Sequence, residues 1–125
     1  MNTRALVLFA HGARDRRWAE PFERLRGILA ARLPDVTVAL AFLELMTPDL
    51  PTLVQELEDS GHSEVTVVPV FFGQGGHVLR DLPALADRLR AEHPEMTLKL
   101  AGAVGEDAGV LEAIAAYCAA SLGAQ

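Results

Sequence analysis

Three side chains in this 125-residue sequence are suited to metal and proton chemistry: His11, Glu44 and His77. A neutral imidazole binds a metal ion through a ring nitrogen and accepts a proton near neutral pH. Two imidazoles and a carboxylate form a ligand set for a borderline divalent ion, with cobalt(II), iron(II) and nickel(II) fitting alike. Arg14, Arg16 and Arg17 follow His11, and Arg80 follows His77 by three positions. Guanidinium groups pair well with carboxylates and phosphates, so a small polyanionic substrate fits the local charge. Each residue also has a structural alternative. A histidine can tie its own loop, Glu44 can cap the next segment or pair with an arginine, and loop arginines can simply be solvated, with Arg14 pairing with Asp15.

The candidates lie far apart in sequence, so only a fold can assemble them. Residues 5–10 form a near-continuous apolar run, as in a central parallel strand covered on both faces. A helix is predicted over 17–33, where Phe22, Leu25, Ile28, Leu29 and Leu33 recur at helical spacing. A second strand spans 36–43. Thr47 then reads as a helix cap and Pro48 as the first helical residue, ahead of Leu50, Leu53, Val54 and Leu57. A third strand runs from 64 to 71 or 72, weakened by Pro69. The Gly-rich segment 73–77 reads as a loop, and Asp81 as the cap of a third helix. A fourth strand covers 96–101. A last helix, 108–122, presents Val110, Leu111, Ile114, Ala115 and Cys118 toward a core.

Strands and helices alternate at the spacing of crossover units. The expectation is one α/β domain over residues 1–125: a four-stranded parallel sheet with helices on both faces. In such sheets ligands gather beyond the carboxyl ends of the strands. His11, Glu44 and His77 all follow strands there, as do Glu106 and Asp107. His62 and His93 do not, and read as surface or helix-terminal histidines. Phe42, Leu43, Leu45, Met46, Phe71 and Phe72 supply either cleft walls or core. Trp18 is expected to pack on its helix face, with ligand stacking as the alternative.

Composition narrows the function. Hydrophobic residues make up 50% and the formal net charge is −6, which disfavours a nucleic-acid partner. Ten of the 11 basic residues are arginine, so the acidic total can conceal a local basic patch. The lone Cys118 excludes an internal disulfide or a thiolate cluster, and reads as a small core residue. No apolar run reaches the roughly 20 residues of a spanning helix, and no signal peptide is recognisable; a cytoplasmic protein with no membrane partner is expected. Gly73-Gln74-Gly75-Gly76 lacks the Lys-Ser or Lys-Thr of a P-loop. No Gly-x-Ser-x-Gly elbow occurs. Ala10-His11-Gly12 lacks the arginine that precedes the histidine of histidine phosphatases.

Three segments carry a resemblance. They are His11-Gly12-Ala13-Arg14, then Phe42-Leu43-Glu44 with Pro48 beyond it, then Val68-Pro69-Val70-Phe71-Phe72-Gly73-Gln74-Gly75-Gly76-His77-Val78-Leu79-Arg80-Asp81-Leu82-Pro83. In order and type they resemble the short, single-domain sirohydrochlorin chelatases of the class II tetrapyrrole chelatases. Ala13 stands where that family usually has serine. The resemblance spans roughly residues 4–122.

It implies a chelatase-like (flavodoxin-like) three-layer domain that inserts a divalent metal into sirohydrochlorin or a similar tetrapyrrole, with release of two protons, in cobalamin or siroheme biosynthesis. His11, His77 and Glu44 would be the catalytic and metal-handling residues. Arg14, Arg16, Arg17 and Arg80 would meet the peripheral carboxylates. It further implies cobalt(II) as the metal, with iron(II) or nickel(II) as alternatives, no organic cofactor, and a homodimer that completes the cleft. A noncatalytic tetrapyrrole or metal carrier, or a chelatase for another porphyrin, would use the same residues.

Overall fold

The computed structural model describes residues 3–72 and 76–123, with the side chains of 76–80 excepted. In chain order the elements are β1 (Arg4–Ala10), α1 (Glu20–Arg32), β2 (Val36–Phe42), α2 (Leu50–Asp59), β3 (Glu64–Pro69), α3 (Gly76–Glu92), β4 (Thr97–Leu100) and α4 (Ala108–Gly123). Short 3₁₀ turns at Arg16–Ala19 and Val104–Glu106 precede α1 and α4. The sheet has the order β2-β1-β3-β4, and all its pairings are parallel. β1 lies between β2 and β3, with Ala10 opposite Phe42 and Phe9 opposite Pro69.

The apolar pattern dictates this arrangement. Val7 to Ala10 are buried, as a central strand requires. On one face Leu50, Leu53, Val54 and Leu57 of α2 join Leu82, Ala86 and Leu89 of α3 over Val7, Phe9, Val65, Val67 and Leu98. On the other face Phe22, Leu25 and Leu29 of α1 cover Leu8, Ala10, Val38, Leu40 and Phe42. Each fully buried Leu or Val contributes about 1.5–3 kcal/mol relative to exposure. The expected three-layer α/β domain is therefore present.

Several local expectations are corrected. Arg16–Ala19 is a 3₁₀ turn capped by Asp15, and the α-helix starts only at Glu20, with Pro21 in its first turn. The cap of α2 is Asp49, whose carboxylate accepts from the Thr52 N–H, rather than Thr47; Thr47–Pro48 lies outside the helix and is cis. β3 ends at Pro69, where the missing amide hydrogen costs the ladder least. Helix α3 begins at Gly76, so His77 sits in its first turn rather than in a loop, and Asp81 is interior. Residues 73–75 of the predicted loop lie outside the described residues.

The largest departure is α4. Its predicted core face is exposed: Leu111 is 43% and Ile114 38% accessible, and Cys118 is exposed as well. The apolar pattern is real, but its own sheet does not bury it.

Candidate active site

The site begins where β1 and β2 end. Parallel pairing continues one step past both strands: the Leu43 N–H donates to the Ala10 carbonyl at 2.9 Å, and the Glu44 N–H to the His11 carbonyl at 3.1 Å. These bonds lock the two loops side by side. Gly12 has φ +98°, and a Cβ there would collide with the Glu44 carbonyl oxygen. That carbonyl also accepts from the Met46 N–H at 2.8 Å. Between them Leu45 is held at φ 66°, a left-handed conformation costly for a branched side chain.

On this frame His11 and Glu44 converge. His11 Nε2 lies 3.8 Å from Glu44 Oε1, with the two side chains 53% and 49% exposed. The separation is too long for a hydrogen bond. Two N/O donors on one tetrahedral ion with bonds of about 2.0–2.2 Å sit about 3.3–3.6 Å apart, so a small closure would place both on one metal. The Phe71 ring stands between the core and the imidazole, 5.7 Å from Phe9 and 6.2 Å from His11, edge to face in both cases. It fixes the inner side of the site.

Around the pair the surface is apolar. Phe72 is 68% exposed and Leu45 59%, and Leu43 is exposed too. Of the six proposed wall residues these three face solvent, while Phe42 is core and Met46 and Phe71 are half-buried. Arg14 and Arg16 line a concavity of about 270 Å³ with Ala13, Phe42, Leu45, Met46 and Thr47. Arg17, not Arg14, is the partner of Asp15, at 2.8 Å. That guanidinium holds the Asp15 carboxyl below its usual range.

His77 follows β3 at the same sheet edge, in the first turn of α3. Its side chain and that of Arg80 lie outside the described residues. Among the described residues, two of the three predicted donors are thus brought together, and no group of three or more metal-ligating side chains forms. Asp107 caps α4 by accepting from the Val110 N–H.

The remaining histidines are structural. His62 is half-buried between the Leu57 carbonyl and the Thr37 hydroxyl. His93 is helix-terminal as expected but is not on the surface: it is 6% exposed, with Nδ1 2.9 Å from Glu58 Oε1. Trp18 packs on Phe22, as expected of a helix face. Sequence reasoning passed over Gly12 and Gly105. A Cβ on Gly105 would strike the Phe72 backbone carbonyl, and the Gly105 N–H donates to the Phe71 carbonyl at 3.0 Å. Gly12 lies inside the first motif segment, which was the signal available there; Gly105 had none.

A doubly wound α/β domain with a histidine–carboxylate pair at the carboxyl edge of its parallel sheet is the class that fold and site define. Residues 5–120 match the CbiX family model. The chain belongs to the CbiX family.

It is similar to a sirohydrochlorin cobaltochelatase of Methanopyrus kandleri, 32% identical over 81 residues, which are 65% of this chain and 57% of that protein. Another, from Methanocaldococcus jannaschii, is 32% identical over 89 residues, 71% of this chain and 62% of that protein. The chain thus spans about three-fifths of the curated relatives it matches. A solved structure from Marinobacter aquaeolei VT8, described as a CbiX protein of cobalamin (vitamin B12) biosynthesis, superposes with a TM-score of 0.84 at 34% identity, covering 98% of this chain and 99% of that one. The sirohydrochlorin chelatase SirB of Bacillus subtilis subspecies spizizenii, solved in complex with cobalt, shares the fold. Its TM-score is 0.72 at 21% identity, with 84% of this chain and 45% of that chain covered.

Proposed function

We propose that the chain inserts a divalent metal, cobalt(II), into sirohydrochlorin and releases two protons. The carrying observation is the convergence of His11 Nε2 and Glu44 Oε1 on an apolar, arginine-flanked sheet edge. Family membership and the names of the matched relatives support the same reading.

In this mechanism His11 and Glu44 receive the hydrated ion, and the carboxylate offsets part of its charge. His77, arriving from the start of α3, completes the donor set. Leu43, Leu45 and Phe72 take the flat macrocycle, while Arg14, Arg16, Arg17 and Arg80 meet its peripheral carboxylates. As the ion passes to the macrocyclic nitrogens, their two N–H protons leave, and the imidazoles freed of metal accept them. The net reaction exchanges one divalent cation for two protons. No organic cofactor takes part. A flat macrocycle is large beside this domain, so a homodimer encloses it better than one copy. Such an enzyme would work in the cytoplasm.

The test is an anaerobic absorbance assay of sirohydrochlorin at limiting protein, run with cobalt(II), iron(II) and nickel(II), each with a protein-free control. Conversion beyond one equivalent of protein, fastest with cobalt, supports the proposal. A bound spectrum without rate enhancement in any metal would make the protein a carrier.

A further inference from the structure

The row of residues through His11 crosses the extensions of all four strands. Phe9 pairs with Pro69, and the Val70 N–H donates to the Phe9 carbonyl at 2.8 Å, carrying the β1–β3 register past the end of β3. Two residues further along both strands, that register sets His11 opposite Phe71. Beyond β3, Val67 pairs with Leu100, and the Ala101 N–H donates to the Val67 carbonyl at 2.9 Å. Four residues on along both strands, the Gly105 N–H donates to the Phe71 carbonyl at 3.0 Å, in the same register. On the β2 side the Glu44 N–H donates to the His11 carbonyl. Glu44, His11, Phe71 and Gly105 thus form one rung beyond the strand ends.

Main-chain bonds join the outer pairs of this rung. Between His11 and Phe71, among the described residues, the join is made by the rings alone. His11 follows Phe9 by two residues and so shares its face of β1. The Phe71 ring stands edge to face against both, packed on the buried core below. A histidine that holds a metal ordinarily donates its other ring N–H to a carboxylate or carbonyl, which fixes the ring. Among the described residues neither ring nitrogen of His11 has such a bond, because the Glu44 carboxylate at 3.8 Å lies beyond bonding distance. The half-exposed imidazole rests on Phe71 instead.

We propose that Phe71 is the positioning residue of His11: its ring holds the imidazole toward Glu44 in place of a hydrogen bond, and Gly105 fixes where Phe71 stands. The inference rests on the reading of His11 as a metal donor and adds what aims it. Gly105 is suited to its part. Its missing Cβ lets the Val104–Glu106 turn lie against the Phe72 carbonyl. The turn is itself closed by the Glu106 N–H on the Ala103 carbonyl at 3.0 Å, and Ala103 is buried. An aromatic ring in edge-to-face contact restrains the rotamer of its neighbour but offers it no proton acceptor. The imidazole is therefore aimed while neither nitrogen is committed to a protein partner, and both stay open to metal or solvent.

NMR on the metal-free protein reads the positioning directly. In the wild type, cross-relaxation between the His11 and Phe71 ring protons is expected, with three-bond couplings of a single χ1 rotamer at His11. No cross-relaxation between the two rings overturns the proposal without recourse to a variant. Phe71→Leu keeps most of the buried volume but not the flat ring. In it the His11 couplings should average over rotamers, and cobalt(II) affinity by calorimetry should fall about tenfold or more. Leu98→Val trims the same core away from the rung and should leave the couplings and the affinity as in the wild type. A single His11 rotamer in Phe71→Leu, or equal averaging in Leu98→Val, overturns the proposal. Averaging in Phe71→Leu with cobalt affinity unchanged upholds the positioning and removes His11 from the metal site, a failure of the functional reading alone.

Discussion

Residue 12 has no room for a methyl group because the Glu44 carbonyl oxygen occupies that space. The residue next to His11 therefore touches the backbone of Glu44. Gly12→Ala would also have to hold φ near +98°. It should cost about 1–3 kcal/mol of stability. It should also push the Glu44 loop outward, lowering cobalt affinity more than the stability loss explains. Thermal melting and metal titration on the same sample check this.

His11 and Glu44 should behave as one unit. His11→Ala and Glu44→Gln each remove a donor while sparing the backbone bonds that hold the loops. Each should weaken cobalt(II) binding about tenfold or more, which is 1.4 kcal/mol per decade. The double variant should lose less than the sum, with a coupling of about 0.5–3 kcal/mol. Calorimetry of the four proteins closes the cycle, and strict additivity would break the assignment.

Leu45 combines backbone strain with exposure. In Leu45→Gly, relief of the left-handed conformation, worth about 1–2 kcal/mol, outweighs the ~0.5–1 kcal/mol entropy cost of glycine. Stability should therefore rise slightly, while macrocycle affinity falls because the exposed side chain is gone. A denaturant melt and a sirohydrochlorin fluorescence titration should move in opposite directions.

Asp49 makes the fold acid-sensitive at α2. Hydrogen bonding from the Thr52 side chain, and then from the Thr52 N–H, lowers its pKa in the folded state. A depressed carboxyl stabilises the fold above its unfolded pKa of about 4, and that stability is lost as pH falls through the lower folded value. Asp49→Ala should cost about 1 kcal/mol at neutral pH. The difference from wild type should shrink below pH about 4. Urea midpoints across pH 2–7 test it.

The sheet, its parallel sense and the carboxyl-edge placement of His11 and Glu44 were legible because buried strands of a parallel sheet read as continuous apolar runs. The His11–Glu44 approach followed once those ends were placed. The helical start at Gly76 was not legible, since a glycine run signals a turn and nothing local shows helix resuming at His77. Thr47, a good cap followed by Pro48, reads as the start of α2, yet the chain caps at Asp49, an equally good cap two residues on. Helix α4 was misread for a deeper reason. An apolar stripe announces burial but does not say against what, so Leu111 and Ile114 were assigned to a core that their own sheet does not provide. The Arg17–Asp15 pair was not legible, because that two-residue reach back depends on the 3₁₀ turn.

The extension of the β1–β2 ladder past both strands uses only main-chain atoms: the amides of Leu43 and Glu44 and the carbonyls of Ala10 and His11. Positions 11 and 44 are thus mounted on a frame indifferent to which side chains they carry. Exchanging imidazole for thiolate at one, or carboxylate for imidazole at the other, leaves every bond of the mount in place. With the metal held at 11 and 44 as proposed, a lineage could change its preferred ion by single codons without passing through an unfolded intermediate sequence, and a protein engineer can treat the two positions as interchangeable sockets.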